Sequence, residues 1–335
     1  MKKLLVWDGD ESLWTGTVID GDIIVLPGNR YDLCEELFNR GVVQSVASYN
    51  LLADVDELIH KFGLTNFFLL SQATLDGNVY KSQMIKSIMD SLGLVKNSDV
   101  VFIDDNDFNR HEVMDALPGI VCLHPTDDVL QYFTKESYTD EDRNRVRMYR
   151  SELSRVDAGK AYGEDRTQFL ESLELQAKIF RPGLQDMQRV VDLVMRANRF
   201  SAMDRMYNEE TLYELYNEGN QLYALHAIDK FGDYGLCGVA HVDGLSSMHA
   251  FVISCRLQGK GLGSAFLGSL INRCESSYRF SLDAFWVATE YNAGVRSLFE
   301  WYKFKIVDQD EVMWAYRDYR GLVDLPHWIK VTYEL

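Results

Sequence analysis

Asp8 and Asp10 follow directly on the apolar run Leu4-Leu5-Val6-Trp7, within the stretch Asp8-Gly9-Asp10-Glu11-Ser12-Leu13-Trp14. Two carboxylates so spaced at the C-terminal end of a strand stand where open α/β sheets bind their ligands. One can attack phosphorus while the other shuttles protons, with a hard cation between them. Three further pieces follow at sensible distances. Ser48 ends the apolar segment Val42–Ala47 and offers a hydroxyl to a phosphate oxygen. Lys81, in Val79-Tyr80-Lys81-Ser82, offers positive charge to a pentavalent phosphorus. Asp104 and Asp105 follow Val100-Val101-Phe102-Ile103 and complete an oxygen-rich Mg²⁺ site. Taken singly, Ser48 reads equally as a helix cap, Lys81 as a surface charge and Asp104-Asp105-Asn106 as a turn; their order and placement after strands favour the functional reading.

The elements that must position these groups are legible in the pattern. Strands are expected at 3–8, 42–47, 66–70, 99–104 and 119–123, alternating with helices near 30–40, 51–61, 80–92 and 108–116. This rhythm predicts a mostly parallel sheet with helices on its faces. Segment 15–28 reads as a small β-flap beside the site. Only 33 residues lie between Trp14 and Ser48, and 30 between Asn50 and Lys81, so no large cap domain fits. An uncapped site needs another way to exclude water, and the second half of the chain is the available lid.

The four pieces together resemble the motifs of the haloacid dehalogenase (HAD) superfamily. The resemblance implies Asp8 as a nucleophile that forms an aspartyl-phosphate and Asp10 as general acid and base. It also implies an Mg²⁺ ion held by Asp8, the Asp10 backbone carbonyl, and Asp104 or Asp105.

Residues 126–180 read as a helical connector, with Arg143, Arg145, Arg147, Arg150 and Arg155 interleaved with acids. The plain reading is a solvated helix surface; the sharper one is a patch for an acidic partner. From about 178 the pattern changes to helices at 185–199 and 208–218, then strands at 222–228, 235–242 and 247–255. A glycine turn, Gln258-Gly259-Lys260-Gly261, opens a helix over 262–275; strand 282–288 and an amphipathic stretch at 292–302 come after it. The run Arg256-Leu257-Gln258-Gly259-Lys260-Gly261 resembles the pyrophosphate loop of GNAT-type N-acetyltransferases, where backbone N–H groups at a helix N-terminus bind phosphate. Asn292-Ala293-Gly294-Val295-Arg296, leading to Trp301-Tyr302-Lys303-Phe304, resembles the later part of that fold. A strand–turn–helix without a ligand is the plain alternative. Cys255 abuts the loop; a thiol beside a helix N-terminus and an arginine is a candidate nucleophile, against its commoner fate as a buried packing residue.

A HAD domain followed by a GNAT-like domain resembles the FkbH-like proteins of polyketide pathways, which make glyceryl-acyl carrier protein. The segments that carry the likeness are Val6–Trp14, Val101–Asn106, Arg196-Ala197-Asn198-Arg199-Phe200, Asp229-Lys230-Phe231-Gly232-Asp233-Tyr234-Gly235 and Ser254-Cys255-Arg256 with Gly259. The resemblance implies an α/β fold: a HAD-like Rossmannoid parallel sheet without a large cap over 1–125, a connector over 126–180, and a GNAT-like α+β domain over 181–335. It implies Cys255 as acyl carrier and Asn198, Asp233, Arg256, Gly259 and Gly261 as the substrate or pantetheine site. The implied reaction takes a glyceryl group from 1,3-bisphosphoglycerate to the phosphopantetheine thiol of an acyl carrier protein, the aspartate site hydrolysing the phosphate ester. Here Ser12 stands where that family usually has Thr, Leu4 where it often has Cys, and Gly259-Lys260-Gly261-Leu262-Gly263 is closer to a generic GNAT loop. The alternatives are therefore a HAD phosphatase fused to a CoA-dependent N-acyltransferase, and a non-catalytic scaffold for carrier protein.

The balance of the chain agrees with such an enzyme. Its 335 residues suggest two domains, and 47% apolar residues supply two cores. A net charge of −17 argues against nonspecific binding to nucleic acid or anionic membrane. No apolar run approaches a membrane span, Met1-Lys2-Lys3 leads into a strand, and Cys34, Cys122, Cys237, Cys255 and Cys274 form no paired motif. The expectation is free thiols in a cytoplasmic protein.

Overall fold

The computed structural model describes residues 3–134, 138, 140–196, 201–218, 221–244, 246–254, 257–278, 282–289, 292–309, 312–317 and 321–334. Side chains of 140–143, 196, 221, 277, 278 and 309 also lie outside the description. The chain divides into two compact units, Met1–Leu153 and Ser154–Leu335.

The first unit is an α/β sandwich. Its strands are β1 (Leu4–Trp7), β2 (Val43–Ser48), β3 (Gln72–Ala73), β4 (Val100–Ile103) and β5 (Val121–Leu123). Helices α1 (Arg30–Asn39), α2 (Leu52–Lys61), α3 (Lys81–Ser91) and α4 (Asp107–Ala116) connect them. All neighbours are parallel in the order β3-β2-β1-β4-β5. Every residue of β1, β2 and β4 is buried, as a sheet covered on both faces requires. One face packs Leu5, Trp7, Val46, Val101 and Ile103; the other packs Leu4, Val6, Val43, Val100 and Phe102. The order reverses at β1, so the switch point lies where β1 and β4 end side by side, Trp7 opposite Ile103.

Two expectations change here. Residues 66–70 form no strand: only Phe68 bridges to Gln44, and the pairing moves to the two-residue β3. The flap at 15–28 is reduced to one bridge, Thr15 to Val25. The intervals before α1 and α3 hold no further domain, as the spacing requires.

Helix α5 (Asp140–Lys160) and helix α6 (Arg166–Ser172) occupy the expected connector. The second unit contains β6 (Leu175–Phe180), α7 (Met187–Arg196), β7 (Ser201–Met203), α8 (Glu209–Asn217), β8 (Gln221–Asp229), β9 (Gly232–Val242), β10 (Ser247–Ile253), α9 (Leu262–Arg273), β11 (Asp283–Val287), α10 (Ala293–Trp301), β12 (Lys305–Gln309), β13 (Val312–Tyr316) and β14 (Ile329–Glu334). The sheet order is β12-β13-β11-β10-β9-β8-β6-β14, with β7 also paired to β10. Strand β6 alternates buried and exposed residues and pairs with β8, so the sheet begins before 181; its period-2 pattern was hidden in a charged stretch. The connector is thus divided, its residues through Leu153 clustering with the first unit and the rest with the second.

Three of the five α5 arginines are held by partners in their own unit and so do not form a solvated face. Arg145 donates to the Gly41 carbonyl, and Arg150 donates to the carbonyls of Thr65, Asn66 and Phe68. In the second unit, Arg155 is buried and forms a bidentate pair with Asp229 at 2.7 and 2.9 Å. Arg147 remains exposed, and the side chain of Arg143 lies outside the described residues. Among the described residues no helix is long and apolar enough to cross a membrane.

Candidate active site

Asp8 stands in extended backbone immediately after β1, and its N–H donates to the Ile103 carbonyl at 2.8 Å. The chain then makes one wide turn, in which Leu13 N–H returns to the Asp8 carbonyl and Trp14 N–H to that of Gly9, both at 3.2 Å. A Cβ on Gly9 would lie 2.7 Å from the Trp14 ring and 2.8 Å from Ser48 Oγ, so only glycine fits between the two. The turn fixes Asp10, whose carboxylate accepts from Trp14 Nε1 at 2.8 Å and from Val18 N–H at 3.3 Å. Asp10 is therefore a held carboxylate beside the nucleophile position.

Lys81 is the first residue of α3 and is buried with only 1% exposure. Its ammonium pairs with the Asp8 carboxylate, donates to the Ala47 carbonyl at 2.6 Å and lies 3.8 Å from Asp104 Oδ2. The Tyr49 ring lies against the same ammonium, 4.7 Å from its centroid. Ser48 ends β2; its buried Oγ accepts from Asn50 Nδ2 at 2.9 Å.

Asp104 directly follows β4 and is fully buried. Asn106 N–H donates to it at 2.8 Å and Asn109 Nδ2 bonds both its oxygens, at 3.3 and 3.0 Å. Ser12 Oγ accepts from Asp105 N–H at 3.0 Å, tying the first loop to the last. The carboxylates of Asp8, Asp104 and Asp105 approach within 4.8 Å of one another. Asp10 contributes no carboxylate to this group, and only its backbone carbonyl is left as a ligand.

The electrostatics follow from burial. Loss of water pushes the Asp8 carboxyl up against the pull of Lys81. Asp104 is pushed up to about 7 by burial and then by the Asp8 charge, with Lys81 opposing. One lysine faces three carboxylates, so the site lacks positive charge. A hard divalent cation would supply it, and this all-oxygen donor set suits Mg²⁺. The sequence reading missed Asn109 and Tyr49. Asn109 follows Asp104 by five residues, a weak signal; Tyr49 adjoins Ser48 and carried none.

In the second unit, β10 and β11 are parallel neighbours paired at only two rungs, Ser247 with Asp283 and Met248 with Ala284. Beyond them the strands part, and β7 bonds to β10 from Ala250 to Val252. The glycine turn leads into α9 with Gly261 as N-cap at φ +84°, where a side chain would be strained and would meet the Trp328 ring at 3.1 Å. Trp328 Nε1 donates to the Lys260 carbonyl at 3.0 Å, and Arg166 donates to the Gly259 carbonyl at 2.8 Å. An open groove of about 540 Å³ adjoins this helix start, lined in part by Ser264, Lys303, His327 and Trp328.

The expected binding residues divide. Gly261 lines the groove, whereas Gly259 does not and has its carbonyl held by Arg166. The Asp233 carboxylate instead closes the β8–β9 hairpin, accepting from Gly235 N–H at 2.6 Å and pairing with His226. Cys255, Arg256 and Asn198 lie outside the described residues.

No family model matches the chain, and no curated protein matches it. Among solved structures, the chain is similar to the N-terminal, phosphatase-domain part of a Bacteroides fragilis protein complexed with Mg, at 24% identity and TM-score 0.34. That match covers 41% of this chain and 41% of the other, so the chain spans less than half of that relative. It is similar to the ribosomal-protein-S18-alanine N-acetyltransferase of Escherichia coli, at 17% identity over 43% of this chain and 96% of that one, TM-score 0.33. It is also similar to a Vibrio cholerae spermidine N-acetyltransferase in complex with CoA and spermine, at 16% identity over 42% and 95%, TM-score 0.34. The strand order, the switch-point carboxylates and the parting parallel strands define the architecture: a HAD-like Rossmannoid domain without a large cap, followed by a GNAT-like α+β domain.

Proposed function

We propose that the chain is a bifunctional enzyme, an Mg²⁺-dependent HAD-type phosphatase fused to a GNAT-like acyltransferase. It loads a glyceryl group from 1,3-bisphosphoglycerate onto the phosphopantetheine arm of an acyl carrier protein in polyketide biosynthesis. The observation that carries the phosphatase half is Lys81 joined to Asp8 and Asp104 at the switch point of the first sheet. The acyl half is supported by the glycine loop at the start of α9 and by the resemblance to FkbH-like proteins.

Asp8 attacks phosphorus with a carboxylate oxygen, and the bond from phosphorus to the ester oxygen breaks. Asp10 gives that oxygen its proton, then takes one from the water that hydrolyses the aspartyl-phosphate. Lys81 neutralises charge on the phosphoryl oxygens and Ser48 donates to one of them. Asp8, the Asp10 carbonyl, Asp104 and Asp105 would hold Mg²⁺, which supplies Lewis-acid stabilisation of the phosphoryl group. In the second unit a thiol displaces the activated acyl phosphate to give a thioester, with Cys255 as the candidate relay.

Incubation with 1,3-bisphosphoglycerate, Mg²⁺ and holo carrier protein, read by intact mass, tests this reading. A glyceryl adduct on the carrier supports it, as does loss of phosphate-ester hydrolysis in Asp8→Asn. An unmodified carrier, with acetyl-CoA consumed in the presence of an amine, replaces it with the phosphatase–N-acyltransferase reading.

A further inference from the structure

His249 is the first residue of β10 beyond the last rung shared with β11, at the vertex where the two strands part. Phe285, its counterpart on β11, stacks on its ring with 6.1 Å between centroids. Four polar side chains from three other segments converge there. Asp204, just after β7, meets His249 Nδ1 at 2.7 Å, and its backbone N–H donates to the His249 carbonyl at 3.0 Å. Asp243, in the β9–β10 turn, lies 3.4 Å from Nε2. His241 on β9 stands 5.3 Å away, ring to ring, and its Nδ1 meets the Tyr207 hydroxyl at 3.2 Å. Arg205 lies 3.9 Å from Asp204 and 5.4 Å over the Tyr207 ring, and its charge is felt at His241.

Asp204 so close to Nδ1 fixes the tautomer with the proton on that atom. Nε2 is then left as the basic nitrogen, facing a carboxylate that cannot donate to it. A carboxylate–imidazole pair of this kind both orients the ring and stabilises the imidazolium formed when it takes a proton. Asp243 Oδ1 accepts from Ser247 N–H at 2.8 Å, while the 3.4 Å separation of its other oxygen from Nε2 is too long for a strong bond, so an incoming group can compete for Nε2.

We propose that His249, oriented by Asp204, is the general base of acyl transfer in the second unit. The role rests on the acyl-transfer reading given above. Nε2 takes the proton of the acceptor thiol while sulfur bonds to the acyl carbon. The bond from that carbon to its leaving group, the phosphate oxygen or the sulfur of the relay thiol, breaks, and the proton on Nε2 passes to that group or to water. From His249 to Ser254 the strand runs about 16 Å. An extended pantetheine arm entering from the glycine loop has the reach to bring its thiol to the vertex.

The test follows thioester formation from 1,3-bisphosphoglycerate and pantetheine across pH, with the full chain. His249→Gln should lower kcat about 100-fold or more with little change in KM for pantetheine. Asp243→Asn should move the acid limb to lower pH, because removing a carboxylate lowers the proton affinity of His249. A solely structural role moves no limb. Wild-type transfer combined with an unmoved limb in Asp243→Asn, or with full rate in His249→Gln, overturns the role of His249 alone. Absence of any thioester from the wild-type chain overturns the acyl-transfer reading and this role with it.

Discussion

The Lys81 ammonium is paired with the Asp8 carboxylate in a site where both are buried, and the same ammonium lies 3.8 Å from Asp104. The lysine starts a helix, while each aspartate directly follows a strand. The pair therefore joins three elements at the point where phosphate would enter. Replacing Lys81 by Met leaves two buried carboxylates without a counter-charge. Phosphate-ester hydrolysis should fall about 100-fold or more, and the metal-free protein should lose about 3 kcal/mol of stability. Turnover and urea unfolding measure the two losses; unchanged turnover would retire Lys81 from the site.

Metal dependence follows from the same charge imbalance. Chelation should abolish hydrolysis, and added Mg²⁺ should restore it and raise the unfolding temperature. Asp105→Asn should raise the Mg²⁺ concentration for half-maximal activity about 10-fold, because Asp105 is the most exposed of the three acids and its loss leaves the buried pair intact. Titration of activity with Mg²⁺ decides it, and full activity in the presence of chelator would exclude a metal-dependent site.

Asp229 holds the start of the β8–β9 hairpin. Its carboxylate binds Arg155 through two bonds and also accepts from Tyr234 Oη at 2.7 Å and from the N–H groups of Phe231 and Gly232 at 2.9 and 3.1 Å. Those bonds outweigh the cost of burial and hold the carboxyl below its ordinary range. Asp229→Ala strands a buried guanidinium and should cost about 3–5 kcal/mol, whereas Arg155→Met with Asp229→Leu should cost less than the sum. Denaturant unfolding of the singles and the double checks the coupling.

The first site was legible because its residues follow apolar strands at once, so primary order and spatial order coincide. Asp8, Ser48, Lys81 and Asp104 each sit at an element end that the hydrophobic pattern marks. The second unit was less legible. Its vertex gathers Asp204, Tyr207, His241, Asp243 and His249 from β7, β9, β10 and their turns, and none has a spacing that announces the others. Strands β6 and β7 were hidden for different reasons: β6 alternates within a charged segment, and β7 is three residues long. Arg145 and Arg150 looked solvated because composition records charge and not the carbonyls that absorb it.

His241 and His249 should pull stability in opposite directions with pH. Burial, then the charge of His249, holds His241 down to about 4. Between its ordinary 6.5 and 4 the unfolded chain binds the proton first. Stability from His241 is therefore full above pH 6.5 and is lost as pH falls through 4. The hydrogen bond to Asp204, followed by the nearby carboxylate charges, outweighs burial and raises His249. Its contribution is full below 6.5 and fades as pH rises through the raised value. His241→Asn should thus flatten the acid limb of an unfolding-temperature profile, by about 4 °C at pH 4.5. His249→Gln should flatten the limb on the other side of 6.5. Calorimetry from pH 4.5 to 8 separates the two, and identical profiles for both variants and the wild-type chain would show that neither imidazole is coupled to folding.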